Sequence, residues 1–199
     1  FERMSRTVET IESTKSRELR VIDADGAIRS LGDVDVVIPM LHGPFGEDGM
    51  VQGLCELVDL PYVGSGVLGS ALCMDKHLAK TVLAAAGIAV APWRTVTRAQ
   101  LDRDPSLAAR LDEGLHYPLF VKPARAGSSV GVSRVTEPEQ LPAALEVAFA
   151  EDRSVLIESG VTGREVGRGV LAGRDGGSPR ARSVLGEIVF SGRGSYDYE

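Results

Sequence analysis

Between Pro118 and Glu158 the chain reads as strand, glycine-serine loop, strand, helix and strand, and no other stretch constrains the fold as much. Pro118 to Val121 is a short apolar strand, Ala126 to Ser129 the loop, and Val130 to Val135 a second strand. Pro138 to Ala150 then lines up Leu141, Leu145 and Phe149 along one helix face. Ser154 to Glu158 returns to strand and ends in an acid. Such a run calls for a sheet with helices packed on it.

The remainder fits a mixed α/β chain. Residues 1–18 are polar and helix-compatible. Leu19 to Ala24 alternates loosely, and Asp25-Gly26 signals a hairpin turn into Ala27-Ile28. Val34 to Leu41 is a β-branched apolar run that reads as a buried strand of a parallel sheet. Polar, glycine-rich His42 to Gly49 follows, and Met50 to Leu60 spaces Val51, Leu54, Cys55 and Val58 as a helix face. Pro61 to Val63 is a brief strand, and Gly64, Gly66 and Gly69 punctuate the passage to Ala71. Asp75 caps a helix through Ala86 that Gly87 closes. Arg94 to Val96 reads as strand and Arg98 to Leu111 as helix. Glu165 to Leu171 and Arg182 to Phe190 read as antiparallel strands around the loose turn Gly173 to Ser178. The division expected is residues 1–65, 66–158 and 159–199.

Composition narrows the class. The chain has 199 residues, 43% hydrophobic and 25% charged, with a net charge of −6. No basic excess or stripe points to nucleic acid. Cys55 and Cys73 sit in apolar helical patterns outside any CxxC pair, and read as buried thiols of a reducing compartment. No stretch approaches the ~18 apolar residues that span a membrane. The start lacks a signal-peptide core, and both ends read as cuts.

Several segments could carry chemistry. In Phe120-Val-Lys-Pro-Ala-Arg-Ala-Gly-Ser-Ser-Val-Gly131, a strand-ending lysine precedes a turn that exposes successive N–H groups and two hydroxyls. That arrangement suits phosphate, although an ordinary β-turn satisfies the same spacing. The order differs from the Walker A pattern. His42-Gly-Pro-Phe-Gly-Glu-Asp-Gly49 follows a strand, where α/β proteins bind ligands; Glu47 and Asp48 equally suit a helix start. Met74-Asp75-Lys76 alone is a cap with a solvent-facing charge. Glu158 and Glu165 could accept hydrogen bonds from a nucleoside or simply be solvated strand ends.

Taken in order, His42 to Gly49, Tyr62-Val-Gly-Ser-Gly-Val, Met74-Asp-Lys76, Val121-Lys-Pro123, Gly127-Ser-Ser-Val-Gly131 and Tyr196-Asp-Tyr-Glu199 resemble the D-alanine–D-alanine ligase family, over about Asp33 to the end. The resemblance implies an ATP-grasp fold preceded by a partial parallel-sheet N-terminal domain. It implies ATP-dependent ligation of two D-alanines in the cytoplasm for peptidoglycan precursors, with Mg2+ or Mn2+, in a homodimer. The first D-alanine carboxylate attacks the γ-phosphate. The second D-alanine's amine then attacks the acyl phosphate, and phosphate leaves. By resemblance, Lys76 and Lys122 hold ATP phosphates, with Ser129 over the γ-phosphate. Glu158, Gly160 and Val161 flank the adenine, and Glu165 meets the ribose. Ser128 orients the substrates and is the catalytic candidate. His42 lies beside the first D-alanine, and Glu47 supports its loop.

The chain departs from the family in places. A glycine-rich strand–loop with a glutamate would precede Phe1. The loop tyrosine and lysine, the metal ligands and an arginine would follow Glu199, so no metal ligand is assigned within the chain. Gly167 and Arg168 stand where a second acid or a small apolar residue is expected. The expectation is that the chain as given cannot turn over. A D-alanyl–D-lactate ligase is the nearest rival, and Tyr196-Asp-Tyr-Glu199 resembles the amine-accepting enzymes. An inactive nucleotide-binding fragment and a different ATP-grasp ligase are further alternatives.

Overall fold

A computed structural model describes residues 18–171, 180–181 and 184–189. It divides into two units: the chain to Val90 with Pro123–Gly127, and Ala91–Lys122 with Ser128 onward. The helix expected over residues 1–18 falls almost wholly outside the described residues, as do the Gly173–Ser178 turn and Tyr196–Glu199.

In the first unit, β1 (Glu18–Ile22) and β2 (Ile28–Asp33) form the expected antiparallel hairpin. Its turn closes where Ala27 N–H donates to Asp25 Oδ1 at 3.0 Å, with Gly26 at φ 86°. The Val34–Leu41 run corrects the reading of a buried parallel strand. It makes one isolated parallel bridge, Val37 to Tyr62, in which Val37 donates to Pro61 O and accepts from Val63. The β1–β2 ladder is antiparallel, so among the described residues the parallel N-terminal sheet is not seen. Ile38 and Met40 stay 62% and 77% exposed. A ladder needs donors in succession, and Pro39 removes one from the middle of the run.

Three helices follow: α1 (Met50–Leu57), α2 (Val67–Met74) and α3 (Lys76–Ala85). The glycines around residues 64–69 hid α2, yet Gly66 is its extended N-cap and Gly69 lies within it. Asp75 caps α3 as expected, accepting from the N–H groups of His77 and Leu78 at 3.0 and 3.1 Å. Gly87, at φ 76°, closes its far end.

The second unit centres on a four-stranded sheet ordered β3-β6-β4-β5: Trp93–Thr97, Ser154–Ser159, Leu119–Pro123 and Ser133–Val135. Helix α5 (Leu141–Glu151) packs on it, burying Leu141, Ala144, Leu145 and Ala148 at the spacing of one helix face. The sheet answers with Val96, Leu119, Val121, Val135, Val155 and Ile157. Phe149 packs at the margin of this core, as its position in the helix pattern suggested. Each such buried aliphatic side chain contributes about 1.5–3 kcal/mol.

The helix expected over Arg98 to Leu111 is broken. Thr97 and Gln100 form a capping box that starts α4 (Arg98–Arg103), and a 3-10 helix runs from Pro105 to Arg110. Pro105 pushes Asp104 out of helical backbone, to φ −137° and ψ 86°. Glu165 to Leu171 likewise divides: β7 (Glu165–Gly167) pairs with β10 (Gly186–Ile188), and β8 (Val170–Leu171) with β9 (Arg180–Ala181). Gly167 pairs with Gly186, so the departure noted there is accommodated by a partner that also lacks a side chain. Among the described residues no helix is long and apolar enough to cross a membrane.

Candidate functional site

Strand alternation decides where the candidate side chains go. In β4, Leu119, Val121 and Pro123 are buried while Phe120 and Lys122 alternate with them. In β6, Val155 and Ile157 join the core cluster, so Glu158 belongs to the opposite face. Since β4 and β6 are neighbours, Lys122 and Glu158 meet on the face away from α5. Their side chains form a short ion pair and are 20% and 15% exposed. Trp93 lies directly across the ladder from Glu158. A half-buried ammonium beside a carboxylate is suited to exchange its partner for a phosphate, which frees the carboxylate to accept from a base amino group.

Past Glu158 the chain turns sharply. Gly160 N–H donates to Pro118 O at 2.8 Å. A Cβ at Gly160 would lie 2.9 Å from that oxygen and 3.1 Å from a ring carbon of Phe120. Val161 is 77% exposed, and Glu165 is exposed on β7.

The Gly127-Ser-Ser-Val-Gly131 turn has an unusual backbone. Ser128 and Ser129 both adopt left-handed conformations, at φ 50° and 57°. Each costs roughly 1–2 kcal/mol for a residue with a Cβ. Val132 N–H closes the turn on Ser129 O at 3.2 Å. Ser128 is exposed and Ser129 half-buried. Strain of this kind concentrates at ligand clamps.

Lys76, in the first unit, engages partners that the sequence did not suggest. Its ammonium donates to the carbonyls of Pro123, Ala124 and Ala126 at 3.1, 3.5 and 2.5 Å. Its backbone N–H donates to Ala124 O at 3.0 Å. Lys76 thus fastens the segment that leads into the serine turn, and a main-chain sequence gives no signal for such acceptors.

His42 and Glu47 share a loop held by its own carboxylates. Glu47 accepts from Gly43 N–H at 2.6 Å, while Asp48 accepts from Phe45 and Met50 N–H at 2.8 and 3.1 Å. So Glu47 braces the loop, and Asp48 serves the start of α1. A Cβ on Gly46 would sit 2.5 Å from Leu41 Cβ, and one on Gly49, at φ 95°, 2.8 Å from Val67 O. His42 itself is exposed. Sequence reasoning missed Gln52, which is buried beneath this loop and donates to Gly46 O at 3.2 Å. Cys55 is buried as expected and its thiol is pushed up by burial, whereas Cys73 is exposed. Among the described residues no three His, Cys, Asp or Glu side chains gather as a metal would need.

Comparison with known proteins adds an independent line. Residues 2–65 match the family described as D-ala D-ala ligase N-terminus, and residues 82–199 that described as D-ala D-ala ligase C-terminus. A D-alanine–D-alanine ligase of Kineococcus radiotolerans is 51% identical over 174 residues, covering 87% of this chain and 46% of the relative. One from Pseudarthrobacter chlorophenolicus is 47% identical over 193 residues, covering 97% and 50%. The ligase structure from Coxiella burnetii aligns with a TM-score of 0.71 at 38% identity, over 85% of this chain and 50% of that one. The VanG D-Ala:D-Ser ligase from Enterococcus faecalis aligns at 0.73, also with 38% identity, over 90% and 52%. The chain spans about half the length of the curated relatives it matches.

Proposed function

The chain belongs to the D-alanine–D-alanine ligase family, and we propose that the protein joins two D-alanines into D-alanyl-D-alanine at the expense of ATP. The observation that carries this reading is the ion pair of Lys122 and Glu158 on adjacent strands, followed in the chain by the left-handed serine turn. Lys122 and Lys76 neutralise the phosphates, and Ser129 covers the γ-phosphate with its N–H-rich turn. Glu158 accepts from the adenine amino group beside Gly160 and Val161, with Glu165 at the ribose. Ser128 orients the substrates. His42, on the loop braced by Glu47, faces the first D-alanine.

In that arrangement a D-alanine carboxylate oxygen attacks the γ-phosphorus and ADP leaves. The amine of the second D-alanine attacks the acyl phosphate carbonyl, loses a proton, and inorganic phosphate departs. Phosphoryl transfer asks the protein chiefly for alignment and charge neutralisation, and two lysines with an anion-binding turn provide these. An acyl phosphate must be shielded from water, which suits a loop that closes over it. A magnesium or manganese ion would supply further charge neutralisation. By family resemblance its ligands are expected outside this chain.

The acceptor is the point at which a second reading has support, because the likeness to a D-Ala:D-Ser ligase is as close as that to the Coxiella enzyme. The use of ATP and a free amino acid favours a cytoplasmic enzyme, a homodimer by family resemblance. The division into residues 1–65, 66–158 and 159–199 remains part of the proposal, as does the inactivity of this chain by itself.

Phosphate release from ATP by the complete protein tests the reading. It should require D-alanine, and L-alanine should not substitute. D-lactate or D-serine offered beside D-alanine identifies the acceptor by its product. Lys122→Ala should weaken ATP binding by about tenfold or more while the fold survives, since it removes the ammonium that meets the phosphates. Unchanged nucleotide affinity in Lys122→Ala would reject the proposed site.

A further inference from the structure

Gln52 is a polar side chain in an expensive position. It lies on α1 and is 6% exposed. Its Nε2 donates to the Gly46 carbonyl, but its Oε1 is shut off from solvent with no hydrogen-bond partner. A buried, unpaired carbonyl oxygen is a net cost to folding. A methionine would fill similar volume without that cost, but it could not donate to Gly46.

What the donor secures is the loop from His42 to Gly49. Gly46 is wedged against Leu41, where even a Cβ would lie at 2.5 Å. Phe45 is held left-handed at φ 71°, a conformation that needs support from its surroundings. The carboxylates of Glu47 and Asp48 tie the loop to itself, whereas Gln52 ties it to the helix.

Resting on the ligase reading above, we propose that Gln52 is a positioning residue of the reaction. By gripping the Gly46 carbonyl it fixes the loop, and hence His42, where the first D-alanine must lie. It touches no substrate and acts only through the loop. Groups held through such a support lose alignment when the support is removed, even though the reacting residues are intact.

The test uses Gln52→Met and Gln52→Glu in the complete protein. The first removes all hydrogen bonding at constant bulk. The second keeps the shape but, when ionised, cannot donate to Gly46. Both should raise KM for D-alanine about tenfold while KM for ATP moves less than about twofold. Amide exchange at Gly43 and Phe45 should quicken in both variants, with exchange in α5 unchanged. An unaltered KM for D-alanine together with unaltered loop exchange overturns the inference, as does an equal rise in both KM values. Failure of the unsubstituted protein to release phosphate in response to D-alanine sinks the ligase reading instead. The exchange rates then still decide whether Gln52 holds the loop.

Discussion

At the scale of single residues, Gly160 is the sharpest case, because the atom a Cβ would meet belongs to the backbone. Gly160→Ala would bring that Cβ to 2.9 Å from Pro118 O, which itself accepts the Gly160 N–H. Neither strand end can yield without loosening that bond, so the substitution should destabilise by about 1–3 kcal/mol in urea unfolding. It should also weaken ATP binding, since Glu158 is two residues away. Gly127→Ala is the control: a Cβ there meets nothing within 4 Å, and stability should change by less than about 0.5 kcal/mol. Equal losses in the two variants would contradict the steric account. The sequence pointed to Lys122, Glu158, Lys76 and the serine turn, but not to what they bond. Pairing of Lys122 with Glu158 depends on which strands are neighbours, and the partners of Lys76 are main-chain carbonyls that any residue could present. Gln52 was invisible because a glutamine in an amphipathic helix reads as solvent-facing.

At the scale of elements, α4 and α5 are joined by Arg98, whose guanidinium makes a two-pronged contact with Glu146 at 2.8 and 2.7 Å. The same guanidinium lies 4.2 Å over the Phe149 ring. The hydrogen bonds from Arg98 hold the Glu146 carboxyl below its ordinary 4.5. A carboxyl depressed in the folded state contributes stability above its unfolded pKa, and that contribution is lost as pH falls through the folded value. Glu146→Gln should therefore lower Tm slightly near neutral pH and leave it unchanged well below 4.5. A difference that persisted in acid would point to lost packing in place of the ion pair. Elements were legible where one local rule ruled alone: the Asp25-Gly26 hairpin, the Asp75 cap, the face of α5. They were missed where two rules competed. Apolar periodicity ran through Asp104-Pro105, but proline's demand on its predecessor prevailed. Glycine punctuation concealed α2, and Pro39 prevented the Val34–Leu41 run from becoming a ladder.

At the scale of the whole molecule, the buried apolar side chains are unevenly shared among the described residues. Val96, Leu119, Val121, Val135, Val155, Leu156 and Ile157 belong to the sheet of the second unit, with the inward face of α5 against it. In the first unit, Cys55, Pro123 and Ala124 are the buried apolar residues, while every residue of β2 and many apolar residues of α1 and α3 remain exposed. Burial of apolar surface is the dominant favourable term in folding, so resistance to opening should follow this distribution. In native-state hydrogen exchange, the amides of Val121, Val155 and Ile157 should exchange last, through full unfolding of their unit. Those of β1 and β2 should exchange by local fraying, with little dependence on denaturant. Saturating ATP should slow exchange around Lys122 and Glu158 further, because a ligand that binds only the folded state stabilises it by mass action. Slower exchange in the β1–β2 hairpin than in β6 would mean that burial in this chain does not set its stability. The core beneath the Lys122–Glu158 pair would then be no rigid platform for a nucleotide.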